Sequence, residues 1–406
     1  MKQSNRKILP DLKIPKRFLD PDTGFDGIED GAFLRGDVIT VDHHVIGMRP
    51  PKVQGAGQIL MPRLIEAHCH LDKCHSVERL PDVGGNLVQA IAAQRADKIN
   101  WSDDDIRTRA QRGLKEFAEA GTATIRSHVD WGEDAAAPRS WSVLLELAQE
   151  HGRPDLQLSA LVGVEQMADP AYAAQVVAAI PDGHALGSFI FGQNQLEDGL
   201  RSIFKIAAER GLPLDFHVDE GLDPDLNGLE KIADIALETR FEGPILCGHA
   251  VSLSLRCAFG QKRIIEKLAE AGISVAMLPS TNLYLQGRNG GTPSSRGVTL
   301  AHELVRGGVS LVVGTDNVRD AFCPVGRHDP MYALQLAVLT AHLDPPLDQW
   351  LETITTNAAQ AIGRPAPRLN GAPLDDLLLS DATDLSTLIC GAPLRPATTV
   401  FEVQND

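Results

Sequence analysis

Between about residues 60 and 365, short apolar or β-branched runs alternate with longer stretches of helical period, and this alternation constrains the fold more than any other feature. It calls for parallel strands joined by crossover helices. Eight runs can be read: Leu64–His70, Thr124–Val129, Leu156–Val162, Gly187–Gly192, Pro213–Val218, Pro244–His249, Ser274–Leu278 and Ser310–Thr315. Helices are expected over Asp104–Ala120, Gly199–Arg210, Asn227–Thr239, Gln261–Ala271 and Pro330–Ala341, several followed by a glycine where a helix should stop. The pattern predicts an α/β fold, a closed (β/α)8 TIM barrel over residues 61–365.

The flanks read differently. Residues 1–60 hold Pro10, Pro15, Pro21, Pro50 and Pro51 around short alternating segments such as Asp37–Asp42, and residues 366–406 end in the strand-like run Thr398–Val403. Both ends are expected to pair into one small β domain beside the barrel.

Charge narrows the partners. The chain has 38 basic and 54 acidic residues, a formal net charge of −16, which disfavours nucleic acid and leaves small molecules as partners. Its six cysteines form no Cys-x-x-Cys pair, there is no apolar signal segment and no long apolar run. A cytoplasmic protein that inserts in no membrane is expected, with homo-oligomerisation left open.

The first run ends in Glu66-Ala67-His68-Cys69-His70-Leu71-Asp72, and the period of two puts His68 and His70 on one face. His217 ends the fifth run, His249 the sixth, and Asp316 follows the eighth. All five fall at carboxyl ends of expected strands, where barrel enzymes keep their active sites. Three imidazoles and a carboxylate suit one divalent ion, Zn(II) or Fe(II), which would acidify a bound water. Glu220, three residues past His217, is the candidate proton shuttle. His249 is either a further ligand or, as preferred, a group that hydrogen-bonds the attacking water or the substrate. Asp316 would also accept a proton. Asp219 and Asp223 read as solvated charges or helix-start residues, and His128 as facing the site or making a structural hydrogen bond. Lys73 is placed near the pocket rim.

These segments, together with Arg126-Ser127-His128-Val129-Asp130, Asn282-Leu283-Tyr284-Leu285-Gln286-Gly287-Arg288 and Gly314-Thr315-Asp316-Asn317-Val318, resemble the amidohydrolase superfamily and its cytosine deaminase-like branch. The resemblance implies that His68, His70, His217 and Asp316 hold a single metal, that Glu220 protonates a ring nitrogen and that His249 positions the nucleophile. Binuclear relatives carry a carboxylated lysine on the fourth strand, and Gly187–Gly192 contains no lysine. Gln286 falls within the family-like segment after the seventh run and is a candidate substrate contact. Where the family reads a pyrimidine with glutamine, this sequence has Gly163, with Gln166 three positions on; Asn317 replaces an aspartate, and Phe322 stands where a tryptophan would stack. The expectation is a hydrolytic deaminase of an amino-substituted nitrogen heterocycle other than cytosine. A cyclic amidohydrolase, a triazine-type N-alkylamine hydrolase and a noncatalytic metal-binding barrel are the alternatives.

Overall fold

In the computed structural model, residues 5–401 are described except 21–23, 54, 56, 151 and 153. Eight parallel strands lie in consecutive order: Leu64–Cys69, Thr122–Gly132, Asp155–Gly163, Ala185–Ile190, Leu214–Val218, Ile245–His249, Ser274–Met277 and Leu311–Val313. The first and last meet through a parallel bridge between Cys69 and Asp316, with Asp316 N donating to the His68 carbonyl at 2.9 Å. This contact closes the (β/α)8 barrel.

The eighth strand is shorter than the sequence suggests. Gly314 N still donates to the Met277 carbonyl, but Thr315 N turns to Glu66 Oε2 at 3.1 Å and Asp316 adopts φ 57°. A buried side chain thus takes over from the strand ladder, and the chain bends sharply at the rim.

At some helices capping, rather than apolar period, sets the start. Ser102 caps Asp103–Glu119 by accepting from Asp105 N, with Asp103, Asp104 and Asp105 in the first turn facing the helix dipole. Leu196–Arg210 starts earlier than its apolar period suggests, with Glu197 and Asp198 in its first turn, and stops at Gly211, which takes φ 66°.

The second sheet joins both ends of the chain. Leu377–Ser380 runs antiparallel to Gln58–Pro62, which is parallel to Arg6–Pro15; Phe33–Val41 follows, flanked by Ile28–Asp30 and His44–Arg49. Leu394–Pro396 forms the outer edge beside Leu377–Ser380. Correcting the sequence reading, Ala397–Phe401 is a 3-10 turn rather than a strand, and residues 402–406 lie outside the described part. Pro396 lacks the N–H a ladder needs, and the Thr399 hydroxyl donates to the Pro396 carbonyl at 2.7 Å, which favours the turn. One contiguous apolar core runs from Ile14, Val38 and Met61 in this sheet and Phe18 just after its first strand into Phe117, Ile125 and Phe216 around the barrel. Among the described residues no helix is long and apolar enough to cross a membrane.

Candidate metal-dependent active site

Alternation along the strands builds the site in layers. Glu66, His68 and His70 succeed one another on one face of the first strand and the turn after it, Arg126 and His128 share one face of the second, and Asp215 and His217 one face of the fifth. The lower layer is a buried ionic network. Asp215 Oδ2 accepts from Arg126 Nη1 at 2.8 Å, its Oδ1 lies 3.0 Å from His128 Nε2, and Arg126 also donates to Gln157 Oε1 and the Ile362 carbonyl. Glu66 Oε1 accepts from His68 N at 2.8 Å; burial pushes its carboxyl up to about 8.

Above this layer the imidazoles converge. His217 Nε2 lies 3.1 Å from His68 Nε2 and 3.0 Å from His70 Nε2, while Asp316 Oδ1 lies 3.3 Å from His70 Nε2 and 3.7 Å from His68 Nε2. His128 and His249 stand close enough to join alternative quartets with these residues. His128, however, also lies against Asp215, with its Nδ1 3.4 Å from the Cys69 carbonyl. Burial and neighbouring imidazoles hold His68 and His217 well below the ordinary histidine range, so both are neutral. His70 is lowered by burial and by Lys73. Asp316 sits below the usual carboxylate range: burial raises it, but the neighbouring His70 and His249 imidazoles outweigh this.

This donor set fits a divalent cation. Neutral nitrogens each about 2 Å from a shared ion lie about 3 Å apart, the spacing seen here, and both Asp316 oxygens are buried without a hydrogen-bond partner. The His68 ring can enter because Gly248 has no side chain: a Cβ there would lie 2.7 Å from His68 Cε1.

Glu220 and His249 stand over the cluster, Oε2 to Nε2, at 3.5 Å. Asn282 Oδ1 lies 2.9 Å from His249 Nδ1 and fixes the ring, leaving Nε2 buried and unpartnered. Glu220 is buried, its carboxyl pushed up to about 7 by desolvation, with Oε1 unpartnered. His249 (φ 70°) and Asp316 (φ 57°) both occupy the left-handed region, costly for a residue with a side chain and concentrated at functional sites.

These groups open into a cavity of about 320 Å³ lined by His70, His217, Glu220, His249, Asn317 and Phe322, with Gly163, Gln166, Phe189 and Gln94 on its walls. The Gln166 side chain, a candidate substrate contact from the sequence, folds back into the space a residue larger than Gly163 would fill, so its amide lies at the cavity wall. Asn317 donates to Asp320 Oδ2 at 2.7 Å, and Phe322 packs under Lys73 Nζ, 4.7 Å from its ring centre. Lys73 is paired with Asp130 at 3.0 Å on the same wall. Gln286 lies outside this cavity: its amide donates to the Glu220 carbonyl at 3.2 Å and faces a neighbouring pocket. Asp219 is buried and receives Gly228 N and Leu229 N, each at 3.0 Å, at the start of the helix Gly228–Thr239; Asp223 is exposed.

Sequence reasoning overlooked Glu66, Asp215, Asp320 and Gln94. Glu66 and Asp215 each precede a histidine by two residues on a strand, a signal the period of two could have revealed. Asp320 gathers Asn317 and the Phe322 and Cys323 amides from within a loop. Gln94 is buried with both amide atoms unpartnered, facing the cavity from the helix Leu87–Asp97.

Residues 85–369 match the family model described as "Amidohydrolase family". The chain belongs to the amidohydrolase family. This amidohydrolase is 34% identical over 374 residues to a pterin deaminase of Rhizobium rhizogenes, covering 88% of this chain and 85% of that protein. Its fold resembles 5-methylcytosine deaminase from Klebsiella pneumoniae liganded with 5-fluorocytosine, with a TM-score of 0.75 and 23% identity over 96% of this chain and 94% of that one. It also resembles N-isopropylammelide isopropylaminohydrolase from Burkholderia multivorans, with a TM-score of 0.69 and 22% identity over 96% and 97% of the two chains.

Proposed function

We propose that this amidohydrolase removes an exocyclic amino group hydrolytically from a nitrogen heterocycle of the pteridine class, using one divalent ion, Zn(II) or Fe(II), held by His68, His70, His217 and Asp316. The observation that carries the reading is the convergence, over one cavity, of neutral imidazole donors with a buried Glu220 carboxyl near neutrality and the unpartnered His249 Nε2. The pterin deaminase relative supports the ring class, and a cavity of about 320 Å³ is of the size that encloses a small bicyclic ring. The ion, when bound, makes a water molecule acidic enough to attack near neutral pH.

The chain's own groups do the rest. Asp316 accepts the proton released by the attacking water, and His249, fixed by Asn282, hydrogen-bonds that water. Glu220 delivers a proton to the ring nitrogen beside the attacked carbon. Asp316 then passes its proton to the amino nitrogen, which leaves as ammonia, while the new hydroxyl returns a proton to Glu220 and becomes an oxo group where the amine stood. Phe189 and Phe322 flank the ring, while Gln166 and Gln94 offer amides to its edge. Phe189 stands on the fourth strand, where no lysine is present to bridge a second catalytic ion.

Product analysis of the ion-loaded protein on aminated pteridines, pyrimidines and triazines tests this reading. Ammonia release with retention of the ring is expected; alkylamine release or ring opening would transfer the assignment to a dealkylating or cyclic-amide hydrolase.

A further inference from the structure

A second group of metal-competent side chains lies outside the catalytic cavity. Cys74, His75 and His328 each bring one donor atom to within 4.8 Å of the others. The group sits against the helix Asp103–Glu119: Cys74 Sγ lies 3.5 Å from the Arg109 carbonyl, and Glu116 Oε2 lies 2.9 Å from His328 Nδ1 and 3.6 Å from His75 Nε2. Gly113 makes room for the ring, since a Cβ there would lie 3.1 Å from His328 Cε1.

We infer that this cluster is a structural site for a second divalent ion of the Zn(II) class, with Cys74, His75 and His328 as ligands and Glu116 as the carboxylate that orients the rings. The decisive observation is that both ring nitrogens of His75 and Nε2 of His328 are buried with no hydrogen-bond partner. Buried polar atoms are almost always satisfied. A neutral imidazole always carries one N–H and one lone pair, so an ordinary polar core leaves His75 with both unsatisfied, whereas a cation takes the lone pair. Glu116 holding the far nitrogen of His328 is the arrangement by which carboxylates fix metal-binding imidazoles. A thiolate with two imidazoles is a borderline-soft set that favours Zn(II) over Mg(II) or Ca(II). Binding replaces the thiol proton of Cys74 by the ion and releases that proton to solvent.

Such an ion would tie three segments together: the loop after the strand that carries His68 and His70, the helix Asp103–Glu119, and the stretch leading to the helix Pro330–Ala341. Lys73, next to Cys74, pairs with Asp130 on the cavity wall, so the same pin would steady that wall.

The test uses the full chain. After loading with Co(II), a thiolate-to-metal charge-transfer band is expected in the wild type, retained in His217→Ala and lost in Cys74→Ser. After loading with Zn(II) and removal of loose metal, elemental analysis should find one ion fewer per chain in Cys74→Ser and in His328→Gln than in the wild type. A wild-type Co(II) spectrum without the thiolate band overturns the proposal without any variant having to fold, and so do equal ion counts in the wild type and both cluster variants. His217→Ala reports on the catalytic donors separately, so failure there leaves this inference standing, and the reverse.

Discussion

The side-chain amide of Gln166 occupies the space that a side chain on Gly163 would fill, so a Cβ at Gly163 would collide with Gln166 Oε1. The two positions act as one unit: the glycine gives up a side chain and the glutamine, three residues on, supplies an amide to the same wall. Gln166→Ala is expected to lower kcat/KM about tenfold, the scale of one neutral hydrogen bond. Gly163→Ala should do the same by displacing the amide. Unchanged steady-state kinetics in both variants would remove Gln166 from the ring-reading surface.

Gln94 makes a sharper test of what fills the cavity. Its amide is buried and unpartnered, so a substrate edge is the natural partner. Gln94→Leu is expected to raise KM about tenfold or more while raising thermal stability slightly, because an unsatisfied buried amide is costly in the ligand-free protein. A variant that binds substrate as well as the wild type contradicts this role.

Asn282 acts through His249. Asn282→Ala should lower kcat by about 10- to 100-fold, the usual cost of losing an orienting partner, and leave KM and ion content near wild type. Loss of ion instead would mean that His249 is a ligand.

Glu220 gives a pH prediction whose sign can be worked out. Burial raises its carboxyl from 4.5 to about 7 in the folded chain, so the folded state holds a proton that the unfolded state releases. The associated stability is full below about pH 4 and is lost as pH rises through about 7; its size is on the order of 3 kcal/mol. In chelator-treated protein, denaturant unfolding across that window should show a loss larger by about that amount in the wild type than in Glu220→Gln, which keeps the contribution of the other buried carboxyls such as Glu66. Parallel curves would contradict it. In the ion-loaded enzyme the same variant should lose at least about two orders of magnitude in kcat with its ion retained.

The buried network below the imidazoles should be costly to break. Asp215→Ala leaves Arg126 buried without its carboxylate, and a loss of about 3–5 kcal/mol is expected from urea unfolding. A change below about 1 kcal/mol would show that Gln157 and the Ile362 carbonyl suffice for the guanidinium.

The barrel was legible because strand and helix periods differ and because parallel strands carry dense apolar runs such as Val312 and Val313. The positions of His68, His217 and Asp316 at strand ends were legible for the same reason. Features set by side chains meeting across the fold were not. The eighth strand stops early because Glu66, far away in sequence, takes the Thr315 amide. Thr398–Val403 reads as a strand by composition, yet a hydroxyl and a proline turn the chain at Ala397–Phe401. Gln166 reads from the sequence as a candidate displaced three positions from Gly163, and only the 3-10 turn at Gln166–Ala168 shows how it reaches back over Gly163. Asp320 and Gln94 carry no local signature, because a lone polar residue in a loop or helix looks the same whether it faces water or a cavity.

The most direct measurement of the central claim is ammonia released per oxo product from a 2-amino-4-oxopteridine by the ion-loaded, chelator-treated and reloaded protein. One ammonia per product is expected, with loss of turnover on chelation and recovery on reloading with Zn(II) or Fe(II). Turnover that persists in fully chelated protein, or a fully loaded protein that releases no ammonia from any aminated pteridine, pyrimidine or triazine, would contradict that claim.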